Sequence, residues 1–179
     1  MGCPDTSIEK QGAGAAHIKD PERAAEVIYA AQKGADGIPV SVKTRLGYNT
    51  DILETWLPIL LKTNVAAVTI HARTRKEMSK VPARWEHVKR AVEIRNKCQG
   101  LTLTKTLIIG NGDALSLADA QLKAEQSDAD GVMLGRAIFG NPWLFHPLKT
   151  LHEHIPSSDS SSLAHRSETY GSLHDAILS

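Results

Sequence analysis

The sequence predicts a parallel α/β fold, and three observations carry that prediction. Short apolar runs alternate with longer stretches of helical spacing, in the order α-β-α-β-α-β-α-β-α. Each run ends in polar or small residues, as strands do at the rim where a parallel sheet carries its chemistry. The last two units are the most informative: Ile108-Ile109-Gly110-Asn111-Gly112-Asp113 and Gly131-Val132-Met133-Leu134-Gly135-Arg136. Glycines where a strand stops let the backbone approach an anion, and N–H groups at the next helix start point at it. Two such units in succession suggest a cradle for a phosphate-bearing cofactor, in the position the last two strands of a (β/α)8 TIM barrel give it.

Asp20-Pro21 opens the first helix, with a cap residue ahead of a proline at the first helical position. Ala24, Val27, Ile28 and Ala31 then form its apolar stripe within Glu22–Lys33. Ile38–Lys43 reads as a buried strand with a proline at its entry. Asp51–Lys62 reads as a helix kinked at Pro58. Ala66–His71 is the second strand, Arg84–Asn96 a helix, Thr106–Gly110 the third strand, Leu115–Gln126 a helix and Gly131–Leu134 the fourth strand. A further helix is expected over Pro142–His154, followed by a flexible linker at Ser157–Ser162 and a short helical remnant over Leu163–Ser179. Four strands amount to half of an eight-stranded barrel. The expected division is a partial TIM-barrel domain over 1–147 and a linker with a helical remnant over 148–179.

With 179 residues, 41% of them hydrophobic, the chain can bury one core. A net charge of +1 gives no compositional case for nucleic acid. Two cysteines, Cys3 and Cys98, make no disulfide framework and fit a reducing compartment. Nothing approaches membrane-spanning length, so a cytoplasmic protein is expected, with the nucleus or mitochondrion also compatible.

Four strand ends bring polar groups to one rim: Lys43 with Arg45, His71 with Arg73, Asn111 with Asp113, and Arg136. Any one could be a solvated loop residue. Four in phase point to a site, and Lys43 stands out because it continues the run Val40-Ser41-Val42. Cys3, in Gly2-Cys3-Pro4, has two readings, a small packing residue or a reactive group. Cys98 reads as packing, as do Trp56, Trp85 and Trp143. His152 and His154 lack the spacing of paired helical metal ligands, and no metal site is expected.

Taken in order, Gly2-Cys3-Pro4 with Gly12–Ala15, Pro39–Gly47, His71-Ala72-Arg73-Thr74, Asn111-Gly112-Asp113, Met133–Ala137 and Asn141-Pro142-Trp143 resemble the tRNA-dihydrouridine synthases. The resemblance runs from residue 2 to about residue 147. It implies an FMN-dependent barrel that reduces the C5–C6 double bond of uridine in tRNA, with NADPH as reductant. By the same resemblance Cys3 is the catalytic acid, Lys43 a contact to the flavin ring and His71 a flavin-binding residue. Asn111, Gly112, Asp113, Gly135 and Arg136 match the segments that hold the FMN phosphate. A tRNA substrate is implied, with no membrane and no obligate protein partner.

The family's opening strands have no counterpart here, and its helical C-terminal domain is reduced to a stub after Ser157. The chain is therefore expected to be the C-terminal half of the barrel, a truncated form with an uncovered sheet face. Two alternatives stay open: an FMN barrel acting on a small pyrimidine-like substrate, and a non-catalytic RNA-binding fragment. His17 stands where an aliphatic residue is expected.

Overall fold

Four parallel strands lie side by side in the order in which they occur along the chain. They are β1 (Ser41–Arg45), β2 (Ala67–His71), β3 (Leu107–Asn111) and β4 (Gly131–Met133). The computed structural model describes residues 1–100 and 105–146. The sheet is open: β1 and β4 each pair with one strand among the described residues. Register is continuous, with Arg45, His71, Asn111 and Met133 in one row at the C-terminal rim and Lys43 two residues back.

Period-two alternation divides the sheet into unlike faces. Val42, Thr44, Val68, Ile70, Ile108 and Gly110 point to one side, and all are buried. That side is covered by α3 (Leu53–Lys62) and α4 (Trp85–Gln99), with α2 (Pro21–Gly34) beside α3 and α5 (Leu117–Ser127) beside α4. Trp56 of α3 is 1% exposed, and its Nε1–H donates to Thr44 Oγ1 at 3.0 Å. Leu57, Leu60, Leu61, Val88, Ala91 and Val92 of the two helices belong to the same core. The opposite face carries Ser41, Lys43, Leu107 and Met133, all exposed.

The helix termini follow their sequence signals. Asp20 caps α2 by accepting from the Arg23 amide, with Pro21 opening the helix. Ser116 caps α5 through the Asp119 amide. At the N-terminal end of β3, Arg95 donates to Thr106 O at 2.9 Å and to Asp130 Oδ2 at 2.7 Å. Asp130 also accepts from the Ile108 amide, so this rim is tied together by a pair whose guanidinium is buried.

Several sequence expectations are corrected. β1 begins at Ser41, not Ile38: Pro39 has no N–H to pair, and Ile38 is 72% exposed. The helix that contains Pro58 begins at Leu53, not Asp51, with the proline in its second turn. Two short segments precede α2 that no periodicity announces, α1 (Thr6–Glu9) and a 3₁₀ turn at Gly14–Lys19. His17 sits in that turn, with Nδ1 3.2 Å from Gly14 O. Residues 142–146 form a turn where a helix was expected, and the remainder of that stretch lies outside the described residues, as do the linker and the helical remnant. Trp143 is 66% exposed and Cys98 is exposed, so neither is the packing residue it was read as. Met1–Leu144 forms one compact unit.

Candidate active site

The rim row is built from the strand ends upward. His71 ends β2 and Asn111 ends β3; the Asn111 side chain donates to Met133 O at 2.8 Å, fixing β4 against β3. Beyond Asn111 the chain turns through Gly112 at φ +122° and Asp113 at φ +51°. A Cβ on Gly112 would lie 2.8 Å from Ala83 Cβ and 3.2 Å from His71 Cδ2, so only glycine lets this loop settle against the β2 loop. Gly110 has a different role: a Cβ there would strike the Trp85 ring, whose Nε1–H donates to Gly112 O at 2.9 Å. Trp85 thus packs under the loop and holds it.

A cavity of about 500 Å³ opens beside this turn. Its lining includes His71, Asn111, Gly112, Asp113, Gly135 and Arg136, six of the eight residues expected from the sequence. Among the described residues, the amides of Gly112, Asp113 and Ala114 have no hydrogen-bond partner. Arg136 is 70% exposed at the side chain and touches Asp113 Oδ1 at 3.2 Å.

Asp113 does not present a bare carboxylate to the cavity. It accepts from Arg73 Nη2 at 2.5 Å and from the Ala83 amide at 2.8 Å. These contacts, the Arg73 hydrogen bond foremost, hold its carboxyl below the usual range. Arg73, 3% exposed, also donates to Val81 O at 2.6 Å, and its Nη1 lies 3.0 Å from His71 Nε2. A guanidinium only donates, so Nε2 of His71 accepts and the ring hydrogen sits on Nδ1. Burial, reinforced by the charges of Arg45, Lys43 and Arg73, pushes the His71 pKa down to about 3. His71 is a neutral donor at physiological pH.

Lys43 and Cys3 lie outside the cavity lining. Lys43 projects from the uncovered face of β1 and is close enough to His71 to contribute to its shift. Desolvation of its ammonium, with Arg45 adding repulsion, lowers its own pKa to about 8. The Cys3 segment runs along the end of β1. Arg45 Nε donates to Gly2 O at 2.8 Å, and Cys3 O accepts from the Ala15 amide at 2.9 Å. Gly14, at φ +61°, permits that approach, since a Cβ would lie 2.7 Å from Cys3 O. Cys3 itself is exposed. The Gly112–Ala114 turn after β3 and the Cys3 segment beside β1 therefore stand apart along the rim, with His71 of β2 between them. Three strand spacings, about 14 Å, separate β1 from β4.

The sequence did not single out Ser79, which lines the cavity, nor the brace that Arg73 makes with Asp113 across 40 positions. Only the His71-x-Arg73 spacing at the end of β2 bears on the second.

An open parallel α/β sheet with a cavity at its C-terminal rim is the arrangement of a partial (β/α) barrel. The family model of dihydrouridine synthase (Dus) matches residues 1–175, and the chain belongs to that family. It is 43% identical over 146 residues to a probable tRNA-dihydrouridine synthase of Staphylococcus aureus (strain Mu50 / ATCC 700699). It is 45% identical over 147 residues to a probable tRNA-dihydrouridine synthase 2 of Bacillus subtilis (strain 168). Each match covers 81% of this chain and 43% of the relative, so the chain spans less than half the length of these relatives. No helix among the described residues is long and apolar enough to cross a membrane.

Proposed function

We propose that this chain carries the phosphate-holding loops and the proton donor of an FMN-dependent enzyme that reduces uridine to dihydrouridine in tRNA, with NADPH as reductant. The observation that carries the proposal is the gathering of His71, Asn111, Gly112, Asp113, Gly135 and Arg136 around one cavity. Those residues come from three separate β/α units.

The residues fit FMN. Unpartnered amides at Gly112–Ala114 and the exposed Arg136 guanidinium suit a phosphate, while Arg73 compensates the Asp113 charge that would otherwise repel it. Gly112 leaves room where a side chain would fill the cradle. At the ring end, Lys43 offers a cation and His71 Nδ1–H a neutral donor, the pair that stabilises developing negative charge. FMN, when bound, supplies the hydride for C6 of the base.

Cys3 then has a defined task. Its Sγ–H delivers a proton to C5, and an exposed thiol on an anchored loop can reach a base from the side opposite the sheet. The uridine has to leave its stack to arrive there. Recognition of folded RNA through shape and backbone suits a chain of net charge +1.

Deleting the gene and measuring nucleoside composition of the host tRNA tests the proposal. Dihydrouridine should disappear from at least one tRNA position and return on re-expression. Unchanged dihydrouridine in every tRNA would remove the assignment.

A further inference from the structure

The proton donor sits on a segment with little secondary structure of its own, so something else must fix it. Three consecutive carbonyls of that segment are bound. Gly2 O is held by Arg45 and Cys3 O by the Ala15 amide, as described above. Pro4 O accepts from Arg75 Nη2 at 3.2 Å. Arg75 is in turn gripped by Glu9 of α1: Nε donates to Oε1 at 2.8 Å, and Nη2 forms a short contact with Oε2. Glu9 Oε2 also accepts from Tyr48 Oη at 3.1 Å. The Glu9 side chain is 9% exposed and that of Arg75 20%.

Arg75 belongs to the loop after β2 and Tyr48 to the loop after β1, and those loops are joined by their backbones. The Arg75 amide donates to Gly47 O, and the Lys76 amide to Tyr48 O, each at 2.9 Å. Glu9 therefore ties the Cys3 segment to the loops over two strand ends at once. Within the Cys3 segment itself, no side chain but this one reaches Arg75.

We propose that Glu9 and Arg75 form a latch that positions the Cys3 thiol for proton delivery. They are positioning residues: neither touches the base, and their effect passes through the Pro4 and Cys3 backbone. The role of the thiol rests on the function proposed above; the latch rests on the contacts alone. Positioning of this kind acts on turnover more than on binding, because a misplaced donor loses the reacting geometry while substrate contacts survive.

Glu9→Ala tests the latch, with Glu9→Gln as the milder variant should the first fold poorly. Amide hydrogen exchange is measured on the full chain, and steady-state reduction of tRNA uridine on the protein isolated from its own host. Loss of a charge-assisted, two-point contact should open the segment by about tenfold or more. The Ala15 amide, bonded to Cys3 O, should exchange faster by about that factor, while the β2 amides stay unchanged. In the reaction, kcat should fall about tenfold, with KM for tRNA and flavin content unaltered. Unchanged Ala15 exchange would overturn the latch. Faster exchange with undiminished kcat would overturn its positioning role. A parent protein that reduces no uridine would instead sink the proposed function, and the exchange result would still decide the latch.

Discussion

Arg73 and Asp113 meet across 2.5 Å and join the loop after β2 to the loop after β3. The guanidinium is almost wholly buried, while the carboxylate is 32% exposed and faces the cavity. The pairing compensates the charge of an acidic residue in the cavity wall. Its charge is offset by Arg73, and its backbone is left-handed at φ +51°.

Asp113→Asn should therefore weaken both the fold and the cradle. The buried Arg73 loses its charged partner, which costs about 1–3 kcal/mol. Denaturant unfolding of the full chain reads that loss. Because pairing lowers the Asp113 pKa, its contribution is present above the ordinary carboxylate range and is lost as pH falls through the depressed value. The variant should accordingly lose part of the acid sensitivity of stability.

Gly112→Ala should destabilise by about 1–3 kcal/mol, since the backbone is at φ +122° and the new Cβ meets Ala83. FMN titration followed by flavin fluorescence should show affinity reduced at least about tenfold, as the loop amides are displaced. Gly135→Ala is the contrast: a Cβ there meets nothing within 4 Å, and stability should change little.

His71 should remain neutral down to about pH 3. The unfolded chain takes up the imidazole proton near its ordinary pKa of about 6.5, so stability is lost as pH falls from there towards 3. His71→Asn should flatten that part of the stability profile. His71 imidazole NMR shifts, assigned by their loss in His71→Asn, that titrate near pH 6.5 would contradict this placement of the ring.

Lys43, lowered to about 8, should lose its charge just above physiological pH in the FMN-free chain. FMN affinity should weaken as pH rises through that region, and Lys43→Met should remove the dependence. Flavin fluorescence titrations between pH 6 and 9 read this directly.

Element order and the rim residues were legible in the sequence because both depend on local signals. Alternating runs, the Asp20-Pro21 cap, and glycines at strand ends each act within a few residues. What was not legible depends on partners far apart in sequence. Glu9 and Arg75 are separated by 66 positions, and Arg73 and Asp113 by 40. The start of β1 was misplaced because the apolar Ile38 and Val40 look like strand residues, although Pro39 cannot join the ladder and Ile38 faces solvent. Trp143 was misjudged because residue type alone assigned it to packing.

The division of labour along the rim is tested most directly by Cys3→Ala in the protein isolated from its own host, measuring flavin content and tRNA uridine reduction together. Cys3 lies outside the cavity lining, so bound FMN should remain at the unsubstituted level. Uridine reduction should fall about 10²–10⁴-fold, the usual cost of removing a general acid. Loss of flavin in step with activity, or activity retained without the thiol, would contradict the account.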